Sequence, residues 1–144
     1  MALKSTDAVE LKRVKGKGRG VFARRPIAAG EVIERAPILV LPRDLHGTED
    51  DPSALHDYCF EWGDGTVALA LGFGSLYNHS YTPNARYDDE GFRTKVFTAL
   101  RDIARGEEIT VNYNGDPGDR SPVWFEVIEN GHAPGRNGAH RRPR

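Results

Sequence analysis

The chain has 144 residues, of which 38% are hydrophobic and 28% charged, and a formal net charge of −1. That length suits one domain with its own core, and that balance excludes a disordered polymer. No run approaches the roughly 18 apolar residues of a membrane-spanning helix, and a single cysteine, Cys59, excludes an internal disulfide and a cysteine-based zinc cluster.

In chain order, Met1–Asp7 has no apolar core of a secretory signal, so the expected location is cytoplasmic. Short runs rich in Val, Ile, Phe and Thr follow, punctuated by glycine and proline. They predict strands at Leu11–Val14, Gly20–Ala23, Glu31–Glu34, Ile38–Leu41, Tyr58–Trp62, Thr66–Leu71, Ala85–Tyr87, Arg93–Ala99 and Ile109–Val111. Tyr58–Trp62 and Thr66–Leu69 flank Gly63-Asp64-Gly65, which reads as a hairpin. Cys59 lies in this aromatic stretch and reads as a small buried hydrophobe. Short helical turns fit Pro42–Leu45, Pro52–His56 and Gly72–Tyr77, but no long helical period occurs. The pattern predicts a mainly β domain of small sheets and many loops.

Arg25–Ile33 repeats Arg101–Ile109 at Arg, Ile, Ala, Gly, Glu and Ile. Both read as an apolar plug, a glycine turn and a strand. One such pair is compatible with duplication and with convergence on the same turn. After Tyr113, Asn114–Pro122 is a loop by composition, Val123–Ile128 is a short apolar segment, and the remainder is polar. Four of the 20 basic residues and none of the 21 acidic ones lie from Gly131 onward, so the body carries −5. An acidic body would attract basic proteins or peptides and repel nucleic acid, and the plainer reading of the same balance is that these charges solvate the surface.

Three segments stand out chemically. Gly16-Lys17-Gly18-Arg19-Gly20 joins two predicted strands, and its glycines allow close backbone approach to a ligand. It lacks the following helix of a dinucleotide fingerprint and the Gly-Lys-Ser/Thr of a phosphate loop. Gly74–Asn84 packs Asn78-His79, Tyr77, Tyr81 and a Pro83-Asn84 turn into eleven residues, with little that suits a helix or strand. Such segments place groups for binding or chemistry. His46, His56, His132 and His140 show no ligand spacing with His79, so no metal is expected. Gly106–Tyr113 ends on a strand-end tyrosine. Glu107 and Glu108 alternate across that strand and so do not form an acid–base pair.

Together, Gly18-x-Gly20, Asn78-His79-Ser80 with Pro83-Asn84, and Gly106-Glu107-Glu108-Ile109-Thr110-x-x-Tyr113 resemble the SET-domain family of protein lysine methyltransferases. The similarity runs from about Lys12 to Tyr113. It implies a β-clip-like fold of several small sheets with a C-terminal pseudoknot and few short helices. It also implies S-adenosylmethionine as cofactor without a metal, bound on one face, and a substrate lysine entering a channel from the other. Carried over by motif, Lys17, Gly18, Arg19 and Gly20 would contact the cofactor, and Asn78 and His79 would hold its amino-acid portion and adenine. Tyr113 matches the catalytic tyrosine, with Tyr58, Tyr77 and Tyr81 as channel walls. Many members carry cysteine-rich flanks that close the channel through zinc. Here Trp124 and Phe125 would take that place over the cofactor. Ser75-Leu76 stands where many members have an Arg-aromatic pair, and Tyr81 where many have cysteine.

The resemblance divides the chain into an N-terminal extension (1–10), a SET domain (11–115), a C-terminal segment completing the site (116–130) and a basic tail (131–144). The expected partner is a lysine-bearing protein or peptide of basic character, with no direct nucleic-acid or membrane partner. Oligomeric state is not readable. The alternatives are a SET-like module that binds cofactor or peptide without useful turnover, and a small β-clip domain for another ligand.

Overall fold

A computed structural model describes residues 2–48, 50–127 and 129. The basic tail expected from Gly131 lies outside them, as do His132 and His140.

Nine strands form two sheets. In chain order they are β1 (Val9–Val14), β2 (Gly18–Ala23), β3 (Val32–Pro42), β4 (Cys59–Glu61), β5 (Thr66–Ala70), β6 (Asn78–His79), β7 (Ala85–Asp89), β8 (Thr94–Ala99) and β9 (Glu108–Val111). The strand order is β1-β2-β9-β6 in one sheet and β4-β5-β3-β8-β7 in the other. The one regular helix among the described residues is a 3-10 turn, Arg43–Leu45. Residues 54–58 and 71–76, where short helices were also expected, are turns.

Two expected strands merge. β3 pairs with β8 as far as Pro37↔Thr94, then with β5 from Ile38↔Ala70. Pro37 has no N–H to give, and it stands where β3 changes partner, so the missing donor interrupts neither ladder. The Pro37 carbonyl accepts the Leu71 N–H at 2.9 Å. One strand was not expected at all. β6 is two residues long and pairs parallel with β9, Asn78 opposite Thr110 and His79 opposite Val111. Two residues are too few to carry a period-2 signal.

The core takes Val9, Val21, Ile27, Ile33, Ile38, Phe97, Ile103, Ile109 and Val111 from both sheets. Each such side chain contributes about 1.5–3 kcal/mol when fully buried. Ala8 and Val9 belong to this core, and Thr6 Oγ1 donates to the Ile33 carbonyl at 2.6 Å. These contacts tie residues 6–9 to β3 and the core.

The repeated segments face each other. Ile27 and Ile103 form an antiparallel bridge, each N–H bonded to the other's carbonyl at 2.9 and 2.8 Å. Gly30 and Gly106 take φ of 82° and 87°, a left-handed turn that glycine adopts without strain. Glu31 and Glu107 each accept a backbone N–H three residues back, from Ala28 and Ala104, both at 3.0 Å. Each glutamate also pairs with the arginine of its own segment, Arg25 or Arg101. These pairs hold both carboxyls below their ordinary value. Sequence identity thus reports identical geometry, position by position.

Candidate active site

Tyr113 follows β9 directly. Its hydroxyl donates to the Tyr77 carbonyl at 2.6 Å, and its N–H donates to His79 Nδ1 at 2.9 Å. An accepting Nδ1 places the proton of a neutral His79 on Nε2. His79 is buried, and its ring lies against Tyr81 (4.5 Å), Tyr113 (5.3 Å) and Phe125 (6.1 Å). The parallel pairing of β6 with β9 brings these residues together, because it sets His79 opposite the residue two before Tyr113.

Asn78 and Lys17 converge on Glu108. Asn78 Nδ2 lies 2.8 Å from both the Arg19 carbonyl and Glu108 Oε2, and Lys17 Nζ lies 3.3 Å from Glu108 Oε1. The carboxylate therefore ties the β1–β2 hairpin to β6 and β9. A Cβ on Gly20 would come within 2.5 Å of Glu108 Oε2 and 3.0 Å of Asn78 Nδ2, so only glycine fits beneath it. Glu107 points instead to Arg101 and Asn84. Asn84 substitutes for a strand: its amide accepts from Thr110 N–H at 2.9 Å and donates to the Glu108 carbonyl at 2.8 Å.

Tyr113 also borders a cavity of about 560 Å³. The Pro37–Glu61 segment gives one wall, including His46, His56, Asp57, Tyr58 and Phe60, and Tyr77, Tyr87, Lys95, Tyr113 and Trp124 are among the other lining residues. Tyr58 lines this cavity. Tyr77 also borders it, but its hydroxyl is turned inward to Glu34 Oε1 at 2.8 Å and its ring stacks on Phe97 at 4.4 Å. Tyr81 is not among the lining residues. It packs on His79, donates its hydroxyl to the Ser121 carbonyl at 3.0 Å and carries the Arg120 guanidinium over its ring. The expected pairing of Trp124 and Phe125 is divided. Trp124 borders the cavity and stacks on Tyr113 at 5.8 Å and 22°, whereas Phe125 meets His79 and Tyr113 edge-on and is not among the lining residues.

Sequence reasoning missed several residues here. Tyr87 lines the cavity, and its hydroxyl donates to the Tyr113 carbonyl at 3.3 Å. Burial first, then the charges of Tyr113 and Asp89, push its phenol up to about 12, so it stays neutral. Lys95 is 4% exposed. Its Nζ lies 4.8 Å from the Phe60 ring, 5.2 Å from Tyr87 and 5.4 Å from Trp62, and 2.6 Å from Asp89 Oδ1. Asp57 Oδ1 accepts the Trp124 indole N–H at 2.6 Å and faces His56 Nδ1 at 3.0 Å, which ties the C-terminal segment to the cavity wall. Glu129 grips the His79 loop, taking Ser80 Oγ at 2.7 Å and Tyr81 N–H at 3.0 Å. A hydrophobic pattern holds no sign of these partnerships, although Tyr87 could have been found from its period-2 register on β7. Cys59 borders the cavity half-buried, and burial pushes its thiol up, away from thiolate.

Residues 18–114 match the sequence profile described as SET domain. The chain is 34% identical over 119 residues to a Schizosaccharomyces pombe histone-lysine N-methyltransferase, H3 lysine-37 specific, spanning 82% of this chain and 77% of that protein. It is 36% identical over 118 residues to human histone-lysine N-methyltransferase 2B and 32% identical over 135 residues to Danio rerio N-lysine methyltransferase KMT5A-A. These matches span 76% and 84% of this chain but only 4% and 38% of those longer proteins. The fold superposes on a Plasmodium falciparum protein described as a histone methyltransferase with a TM-score of 0.62 and 26% identity, over 85% of this chain and 98% of that one.

Proposed function

The chain belongs to the SET-domain family of protein-lysine methyltransferases, and from that premise we propose that it moves a methyl group from S-adenosylmethionine to the ε-amine of a lysine in a basic protein. The observation that carries the reading is the position of Tyr113. Tyr113 packs against His79 and Phe125 and also borders an aromatic-walled cavity. A residue so placed can touch a donor and an acceptor that approach from opposite faces.

The residues on the His79 side fit the cofactor. Arg19 Nε is buried with no hydrogen-bond partner among the described residues, a donor suited to a carboxylate or carbonyl. The Gly18–Gly20 backbone would hold the amino-acid portion, and His79 with Phe125 would face the adenine. Asn78 and Lys17 act indirectly, since both are committed to Glu108. The cofactor supplies an activated methyl, so the protein's tasks are alignment and exclusion of water.

The acceptor lysine must lose its proton first. From an ordinary pKa near 10.4, deprotonation at pH 7 costs about 4.6 kcal/mol. An aromatic wall of Tyr58, Phe60, Tyr87 and Trp124 disfavours the charged amine by desolvation. Tyr113 and Tyr87 then orient the neutral nitrogen with oxygen atoms. Relatives named as histone methyltransferases make core histones the first acceptors to test. The test is incubation with labelled S-adenosylmethionine and core histones, with the modified residue located by mass spectrometry. Label on lysine supports the reading. Tight cofactor binding without transfer to any acceptor would favour a binding module, and absence of cofactor binding would refute both.

A further inference from the structure

Glu34 is a carboxylate on β3 that is only 6% exposed, and its partners among the described residues are neutral donors. An ionised carboxylate in such a place is expensive unless it is fully hydrogen-bonded. Its two oxygens grip both ends of one turn. Oε2 accepts the Phe73 N–H at 3.0 Å, and Oε1 accepts the Tyr77 hydroxyl at 2.8 Å. The turn between them has no ladder of its own, because strand pairing resumes only at Asn78. Yet the carbonyl of Tyr77, the last residue of that turn, is the acceptor for the Tyr113 hydroxyl at 2.6 Å.

We propose that Glu34 is a positioning residue for methyl transfer, setting the Tyr113 hydroxyl through Tyr77. The inference rests on the reading of Tyr113 as the catalytic tyrosine. The chain of contacts is short. Glu34 holds the Tyr77 hydroxyl, the Tyr77 ring is fixed against Phe97, and the fixed backbone of Tyr77 offers its carbonyl to Tyr113. Burial and the adjacent carboxylate keep the Tyr77 phenol protonated, so it remains a donor to Glu34. Serine at position 75 spends its hydroxyl on the Ala70 N–H at 3.0 Å and supplies no cation to Glu34. The Tyr77 hydroxyl therefore stands as the side-chain partner that stabilises the carboxylate. Glu34 is nearly buried and the Tyr77 hydroxyl is turned inward to it, so their loss should disturb alignment of the reacting amine rather than peptide binding.

The test compares the parent chain with Tyr77→Phe, Glu34→Ala, Glu34→Gln and Tyr113→Phe, using S-adenosylmethionine and core histones. Tyr77→Phe keeps the ring and its stacking and removes only the hydroxyl. It should lower kcat by about ten- to a hundredfold while acceptor KM stays within about threefold, the pattern of a misplaced reacting group. Glu34→Gln retains hydrogen-bonding capacity toward both Phe73 and Tyr77 and should recover most of kcat, whereas Glu34→Ala should not. Thermal melting reports the folded fraction of each variant. Should Glu34→Ala fail to fold, Tyr77→Phe carries the comparison. Crystal structures of the parent and Tyr77→Phe give a second readout that needs no acceptor: the Tyr113 hydroxyl should leave the Tyr77 carbonyl in the variant. A parent-like kcat for Tyr77→Phe beside an inactive Tyr113→Phe overturns the inference, as does an unmoved Tyr113 hydroxyl. A parent-like kcat for Tyr113→Phe overturns the reading of Tyr113 itself, and this inference with it.

Discussion

Glu108 accepts from Lys17 and Asn78 with Gly20 beneath it, and the three contacts depend on one another. A methyl group at Gly20 must displace either the carboxylate or the amide. Gly20→Ala should cost about 1–3 kcal/mol, the usual range for overpacking, read as a lower denaturant midpoint at unchanged slope. Glu34 gives a second residue-level expectation. Burial raises its carboxyl above the ordinary value. The folded chain then binds that proton more tightly than the unfolded chain, so ionisation opposes folding. The penalty is absent below the ordinary value, grows up to the raised one and is full above it. Glu34→Gln removes it. Stability of the variant relative to the parent should therefore improve as pH rises from the ordinary carboxyl value through the raised one, and a flat difference would contradict the burial argument. The depressed carboxyls of Glu31, Glu61 and Glu107 are common to both chains and cancel. At this scale the sequence revealed which residues matter better than what they touch. Asn78 was legible as special because it sits in an irregular, turn-rich segment where an amide suits a polar partner. That its partners are Arg19 and Glu108 depends on strand pairings across 59 and 30 residues, which no local pattern encodes.

The strands themselves were largely legible, because β-branched and aromatic runs between glycine turns leave little choice. The failures have local causes. Pro37 hid the continuity of β3, since proline ordinarily ends a strand, and here it marks a change of partner. β6 has too few residues to announce itself. The repeat was legible in full, because the same Arg–Glu pair, N–H acceptor and glycine turn recur in both copies. The C-terminal segment after Asn114 was legible only as a loop with an aromatic pair. The structure gives that pair two roles, with Trp124 anchored to Asp57 over the cavity and Phe125 against His79. Trp124→Ala removes the stacking partner of Tyr113 and opens the cavity to water. Turnover should fall by at least about tenfold, because a wetter site favours the charged amine. Trp124 is 47% exposed, so the melting temperature should move little. A variant with parent-like turnover would show that the segment only anchors the chain end.

For the molecule as a whole, Tyr113 directly follows β9 of one sheet, packs against His79 and Phe125, and borders an aromatic-walled cavity. The family was legible from three motifs in order, since they mark the hairpin, β6 and β9, the elements that build the first sheet. The cavity wall was not, because it is assembled from a segment of turns whose course depends on tertiary contacts. Net charge adds an expectation at this scale. With −5 on residues 1–130, a basic acceptor should be drawn by long-range attraction. Its KM should rise about threefold or more as ionic strength goes from about 0.05 to about 0.5 M, with kcat nearly constant. The central claim is that Tyr113 joins a cofactor side to a lysine cavity. Transfer of labelled methyl from S-adenosylmethionine to core histones, by the parent chain and Tyr113→Phe side by side, tests it most directly. The account predicts label on lysine with the parent and a loss of about a hundredfold or more with Tyr113→Phe at undiminished cofactor binding; equal transfer by the two chains would contradict it.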